Sequence, residues 1–381
     1  MKKLLLTVFS ISLFSLSGCS LKYNSELISE ENVPQIRLEN IVMRRYSDNK
    51  KNLELTSSIY EQYKNASQSY ARNASFTLYD SDMNETSKGV TGIISSNSSD
   101  QIFALFDGIE FYDQNQNIKI AGDSLKWNGK TEQLVSAKNS EITIKKDDLV
   151  ITGKDFSASA VSNTFLFSDS VRGSQVFVNS DGSREEIIFS GDSMQGSVSN
   201  SKDSLKQNST ILSGNALVKT STMEIRADSI ELTGNDFDII KATGNIKGTN
   251  SESEIEFTAQ TLEYNRETKI VVLSGGVELK DVKNDVTAKA QIIEYDQNTD
   301  VAIMQIEVEL KQKQNVCTGA YSVYRKQEQT LELSGNASVK QSEDTFRAQY
   351  ISFNMDTEEI VMDGNIRGTV TTTKSEKSEQ Q

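Results

Sequence analysis

The chain has 381 residues, of which 36% are hydrophobic, and a formal net charge of -14. That is ample length for a large core, with an apolar content that suits a thin, heavily solvated β protein. The charge excludes nucleic acid, whose phosphates demand a basic face. The absence of histidine removes the usual general base and the commonest metal ligand near neutral pH, and so excludes serine-histidine and cysteine-histidine catalysis.

Taken in chain order, Lys2-Lys3, an apolar run from Leu4 to Leu16 and then Ser17-Gly18-Cys19 follow the order charged, apolar, small that a secretory signal requires. The run is shorter than the roughly 20 apolar residues of a membrane span. Leu16-Ser17-Gly18-Cys19 matches a bacterial lipobox, so residues 1–18 are expected to be a lipoprotein signal peptide, Cys19 the lipidated residue, and 19–33 a polar tether. Stable anchoring needs at least two acyl chains, which such a cysteine carries. With Cys19 acylated, Cys317 has no intramolecular partner and reads as a small buried hydrophobe.

Strands are predicted over 36–44 and 53–60, with irregular polar stretches over 65–75 and 95–100. Asp80-Ser81-Asp82-Met83-Asn84-Glu85 begins like a calcium loop, but Glu85 stands where glycine is needed and Thr91 where the closing glutamate is needed, so no metal is expected. The acidic pairs Asp147-Asp148, Glu185-Glu186 and Glu358-Glu359 read as solvated turns or strand ends rather than glycosidase carboxylates. Trp127 reads as a buried side chain.

The strongest signal is a repeat near thirty residues. One strand of it recurs as Gly122-Asp123-Ser124-Leu125-Lys126-Trp127, Ala227-Asp228-Ser229-Ile230-Glu231-Leu232, Ala259-Gln260-Thr261-Leu262-Glu263-Tyr264, Ala290-Gln291-Ile292-Ile293-Glu294-Tyr295, Gly319-Ala320-Tyr321-Ser322-Val323-Tyr324 and Ala348-Gln349-Tyr350-Ile351-Ser352-Phe353. A second strand alternates with it: Leu212-Ser213-Gly214-Asn215-Ala216, Ala242-Thr243-Gly244-Asn245-Ile246, Leu273-Ser274-Gly275-Gly276-Val277, Leu333-Ser334-Gly335-Asn336-Ala337 and Met362-Asp363-Gly364-Asn365-Ile366, with weaker copies around Asp107, Asp169 and Ile306. Period-two alternation, as in Val271, Leu273, Val277 and Leu279, marks one buried face. A glycine recurring at one phase of a strand predicts a regular corner.

These tandem units, preceded by Val33-Pro34-Gln35-Ile36 leading into an early strand, resemble the lipopolysaccharide-transport family: the front half looks like LptC and the stretch from about 211 to 370 like LptA and the OstA-type domain. The resemblance implies an all-β fold, an open twisted antiparallel β-jelly roll whose two sheets form a V around an apolar groove for lipid acyl chains. It implies end-to-end docking by strand addition with Lpt-type bridge proteins or an inner-membrane transporter. LptC is typically held by a transmembrane helix, where this chain has a lipobox.

The expected organisation is an LptC-like roll over 34–196, a polar loop over 197–209, an LptA/OstA-like roll over 210–372, either separate from the first or continuous with it, and a disordered tail over 373–381. Lipid-groove candidates, chosen by inward parity, are Leu262, Tyr264, Leu273, Val277, Ile293, Tyr295, Met304, Val308, Tyr324, Leu333, Phe353, Met362 and Ile366. No enzyme activity and no cofactor is expected. Expected partners are lipopolysaccharide or another glycolipid, and the inner or outer membrane of a two-membrane bacterium through the lipid anchor, with the protein in the periplasm. The rival reading is a structural or adhesive repeat lipoprotein whose side chains fill their own core. A carbohydrate-active β-helix enzyme is a poorer fit, because no convergent catalytic set accompanies the repeat.

Overall fold

The computed structural model describes residues 33–63, 68–115, 117–178, 182, 184–197, 209–234 and 238–371. The expected signal peptide, Cys19, most of the expected tether, the greater part of the 197–209 loop and the whole of the tail over 373–381 lie outside the described residues. The chain divides into two compact units, Met1–Leu212 and Ser213–Gln381.

The first unit holds β1 (Ile36–Ser47), β2 (Lys50–Gln62), β3 (Gln68–Tyr79), β4 (Glu85–Asn97), β5 (Ile102–Asp113), β6 (Ile118–Asn128), β7 (Gln133–Ser136), β8 (Glu141–Lys146), β9 (Leu149–Ser159), β10 (Thr164–Val178), β11 (Arg184–Gly191) and β12 (Ser193–Ser197). Strands β1 to β6 pair antiparallel in succession. Here β7 and β8 act as one broken strand between β6 and β9, and β11 and β12 as another beside β10. Trp127 is buried, as its place in the repeat predicts.

β13 (Ser209–Lys219) carries the boundary. The second unit continues with β14 (Met223–Thr233), β15 (Ile239–Asn250), β16 (Ile255–Asn265), β17 (Ile270–Asp281), β18 (Val286–Asp296), β19 (Val301–Gln312), β20 (Asn315–Arg325), β21 (Thr330–Gln341), β22 (Asp344–Asn354), β23 (Ile360–Asp363) and β24 (Arg367–Thr369). From β14 to β22 each strand pairs antiparallel with the next, and β22 then pairs with both β23 and β24. The described residues are all-β and antiparallel, consistent with the β-jelly roll that the resemblance implies.

The predicted corner is present and has a backbone cause. Each pairing in β14–β22 breaks register once, for example between Ser274 and Val277 and between Ser334 and Ala337. At that point every second strand puts two consecutive residues in the left-handed region: Gly244 and Asn245, Gly275 and Gly276, Ile306 and Glu307, Gly335 and Asn336. Such a break leaves residues unpaired and bends the strand. Each long strand is thereby divided into two arms. A Cβ on Gly335 would lie 2.7 Å from the Ala320 Cβ, so glycine at this corner is what lets it approach the second residue of the preceding strand motif. Side chains close the polar groups at these corners: Asn245 Nδ2 donates to Asp228 Oδ2 at 2.9 Å, and Gln291 Nε2 to Glu307 Oε2 at 2.9 Å.

One expectation is corrected. Of the stretches expected to be irregular, 68–75 falls in β3 and 95–97 ends β4, while 98–100 is a turn. Their small hydroxyls satisfy one another across strands, as in the buried Ser69 Oγ···Ser96 Oγ contact at 2.7 Å and Thr56 Oγ1···Ser75 Oγ at 2.6 Å. Buried Ala71, Ala74, Phe76 and Leu78 supply the period-two face.

Candidate functional site

The register of the second unit gathers the inward residues into rows that run across the strands. Beside the corner on one arm, Leu262, Leu273, Ile293 and Met304 are successive partners, followed by Ser322, Leu333, Ile351 and Met362. One row further out come Tyr264, Val271, Tyr295, Ala302, Tyr324, Leu331, Phe353 and Ile360. We call this the tyrosine arm. Val277 and Val308 stand across the corner on the other arm, buried like the row they face. Twelve of the thirteen groove candidates therefore lie on strands of one unit in these few rows. Ile366 is apart: it lies between β23 and β24, beyond the Gly364-Asn365 corner, and is exposed.

The outermost row of the second arm is polar on its inner side. Asp281, Val286, Gln312, Asn315, Gln341 and Asp344 are successive partners there. We call this the amide arm. The next row in is apolar again, with Phe257, Leu279, Ala288, Leu310, Cys317 and Val339.

Burial along these rows is uneven. In β14–β17 the inward residues away from the corner, Ile225, Leu232, Ile255, Phe257, Tyr264, Val271 and Leu279, are only half-buried. In β19–β22 the matching positions Leu310, Cys317, Leu331, Val339 and Phe353 are 0–1% exposed. A single sheet leaves both its faces to solvent, so such burial requires the two arms to cover one another. The trough is half-buried along β14–β17, its accessible end, and largely filled along β19–β22, where Ala302, Tyr324 and Phe346 stay half-buried.

The half-buried tyrosines of the lip each hold a turn. Tyr264 Oη donates to Gln297 Oε1 at 3.4 Å, Tyr295 Oη to Asp300 Oδ1 at 2.6 Å, and Tyr324 Oη to Gln329 Oε1 at 3.1 Å. Burial, then the Asp300 carboxylate, push the Tyr295 phenol well above its ordinary value. The same hydrogen bond, with help from Gln327, holds Asp300 below the usual carboxylate range. Burial pushes the Cys317 thiol up to about 12, so this thiol is unreactive while covered.

Among the described residues no group of three or more His, Cys, Asp or Glu side chains is placed to hold a metal. Asp80 Oδ1 instead accepts the backbone N–H of Asp82 at 2.8 Å and of Asn84 at 2.9 Å, closing the β3–β4 turn by itself.

Parity identified the inward face without separating the residues that solvent reaches from those it does not. Ile225, Leu232, Ile255, Phe257, Val271 and Leu279 are the lining positions that the candidate set leaves out. Their signal was the same alternation as in their neighbours, carried to the strand ends.

A bent, antiparallel two-strand repeat with an apolar inner face defines a trough-forming β protein. Residues 197–301 and 300–359 match the family described as LptA/(LptD N-terminal domain) LPS transport protein. Over that stretch, somewhat under half of its length, the chain is similar to this lipopolysaccharide-transport family. A similar solved structure is the crystal structure of LptH, the LptA homologous periplasmic component of the lipopolysaccharide transport device of Pseudomonas aeruginosa, at 16% identity over 32% of this chain and 97% of that one, with a TM-score of 0.30. No curated protein matches the sequence.

Proposed function

We propose that this chain is a membrane-tethered periplasmic scaffold that carries the acyl chains of lipopolysaccharide or a related glycolipid in the trough of its second unit. The observation that carries this reading is the row of half-buried inward apolar residues in β14–β17, on the face that the family match covers. An apolar surface that stays wetted in the free protein gains about 25 cal/mol for each Å² that a lipid chain covers. No chemistry is required of the protein, only a continuous apolar path. In this reading Cys19 is the acylated anchor.

Docking belongs to the same proposal. β1 pairs with β2 and with no other described strand, and its Leu38, Val42 and Tyr46 are exposed. An exposed strand edge with apolar side chains is a template for strand addition by a partner.

The test is photocrosslinking in living cells from Phe257, Tyr264 and Val271, with the outward Glu263 as control. Glycolipid adducts from the inward sites alone are the expected result. The filled end of the trough favours the rival reading of a structural repeat lipoprotein, and a folded protein silent at all three inward sites would establish that reading instead.

A further inference from the structure

The hairpin turns along the lip of the tyrosine arm form a series. Each strand ends in an aromatic residue, one further residue, and then the first residue of the turn: Tyr264-Asn265-Arg266, Tyr295-Asp296-Gln297, Tyr324-Arg325-Lys326 and Phe353-Asn354-Met355. The backbone treats all four alike. Arg266 N donates to Asp238 O, Gln297 N to Lys269 O, Lys326 N to Asp300 O and Met355 N to Gln329 O, at 2.8–3.2 Å.

Asn354 Oδ1 caps the last turn as Asn265 Oδ1 caps the first, but the side chains on either side of it depart from the series. Phe353 has no hydroxyl with which to hold its turn, and the polar first residue is replaced by Met355, which is 1% exposed. The connection to the next strand is one residue longer, running over 355–359. Within it Glu358 reaches the opposite lip: Asn315 Nδ2 donates to Glu358 Oε1 at 3.5 Å, and Gln341 Nε2 donates to the Glu358 backbone carbonyl at 3.5 Å. The connection is thus a strap from the tyrosine arm to the amide arm, with a methionine on its underside.

What the strap covers is not built as a permanent core. Its two bonds to the amide arm are at the long limit of hydrogen bonding. Beside it lies a cavity of about 580 Å³ lined by polar residues including Lys313, Asn315, Gln341, Asp344 and Glu358. The buried rows of this end contain Gln312 Oε1 and Ser322 Oγ without a hydrogen-bond partner, groups that a dedicated apolar core would lack. Methionine is the unbranched, adaptable side chain that leaves a packed site at least steric cost.

We infer that the filled end of the trough is a cryptic acyl-chain site, with the strap over 355–359 as its gate and Met355 as the removable plug. The inference rests on the trough reading above. In the free protein Met355 stands in for the lipid; when the strap swings off the amide arm, the apolar rows of β14–β17 continue beneath it through Leu310, Cys317 and Val339, and a chain can pass to the end of the unit.

Cys317 is a native reporter, because it lies in the covered row next to the lip formed by Asn315. In the full chain, native-state labelling of Cys317 by a maleimide, read by mass spectrometry of its peptide, should be about ten-fold faster in Glu358→Ala and in Met355→Lys than in the wild type, with the melting temperature unchanged. Met355→Lys restores the kind of residue that the other turns carry, and Glu358→Ala keeps the test valid if that variant fails to fold. Dodecanoyl sucrose, below its micellar concentration, should return the labelling to the slow rate. Labelling at the wild-type rate in a folded variant would overturn the gate. Fast labelling that the acyl sugar does not slow would make the strap a plain terminal cap. A Val271→Cys chain in a Cys317→Ser background separates the two ideas: protection at Val271→Cys with none at Cys317 sinks the cryptic site alone, and protection at neither sinks the trough reading.

Discussion

The accessible end of the trough in β14–β17 and the filled end in β19–β22 are built from the same repeat, with the same corner, the same register break and the same inward parity. Val271 and Leu331 occupy one row, yet the first is half-buried and the second fully buried. The difference does not arise within a strand. One contrast lies over the lip, where the turns of the first end are polar and the last turn buries Met355 and is hydrogen-bonded through Glu358 to the facing arm. In a bent sheet of this kind the strands set the path of the apolar rows, and the connections decide whether a row is core or surface.

The most direct way to break the comparison is to truncate one residue at each end. Leu331→Ala, in the same row as Val271 but fully buried, should cost about 3–5 kcal/mol, as large-to-small changes in a packed core do. Val271→Ala should cost less than about 1.5 kcal/mol, since its side chain already meets water and leaves no sealed cavity. Urea unfolding followed by hydrogen exchange in β21 and β17 reads both, and equal losses would mean that the two ends are packed alike. Next in size is the corner itself. Gly335→Ala places a Cβ 2.7 Å from that of Ala320 at a φ of +72°, and should cost about 1–3 kcal/mol, whereas Gly276→Ala, whose Cβ meets nothing, should bear the backbone part alone.

Smaller again is the lip. Tyr295→Phe deletes the 2.6 Å bond to Asp300 and should cost about 1–2 kcal/mol at neutral pH. Because burial raises the folded-state pKa of Tyr295, its contribution is complete below the ordinary phenol value of about 10 and is lost as pH rises through the folded value. The wild type should therefore lose stability above about pH 10 more steeply than Tyr295→Phe does. The lowered value of Asp300 acts in the opposite window: its share is present above the ordinary carboxylate range and is lost as pH falls through the folded value. Parallel melting curves for the two proteins at alkaline pH would remove Tyr295 from the account.

Much of this was legible in the residues. The repeat near thirty residues, its two strands, the inward parity and the corner at the recurrent glycine all follow from local rules, because alternation and left-handed backbone are written in consecutive residues. Two things were not legible. The first part of β3 and the end of β4 read as irregular because Ser69, Ser75 and Ser96 are turn formers by composition, and only cross-strand pairing shows that their hydroxyls are satisfied, Ser69 by Ser96 and Ser75 by Thr56. The filling of the trough was hidden because parity states which face a residue takes, not what covers that face. One sign was present: aligned as a series, Arg266, Gln297, Lys326 and Met355 place a single apolar residue at a polar turn position, just beyond the motif that ends at Phe353.

The last test concerns the corner that departs most from the pattern. Where the other strands have Gly-Asn or Gly-Gly, β19 has Ile306 and Glu307, at φ values of 63° and 55°. The left-handed region costs an L-residue roughly 1–2 kcal/mol, and a β-branched side chain there is a true outlier. Ile306 gains little in return, being 53% exposed. The register holds it there, since Gln305 and Glu309 are paired on both sides by β18 and β20, and the corner must fall where the neighbouring corners fall. Ile306→Gly should therefore stabilise the second unit by about 1 kcal/mol, seen as a higher urea midpoint at constant slope. Glu307→Asn should add less, because it also removes the 2.9 Å bond from Gln291. If Ile306→Gly destabilises instead, the exposed isoleucine is held by something that packs on the outside of this corner, and the weak copy of the motif is there for a partner rather than by tolerance of strain.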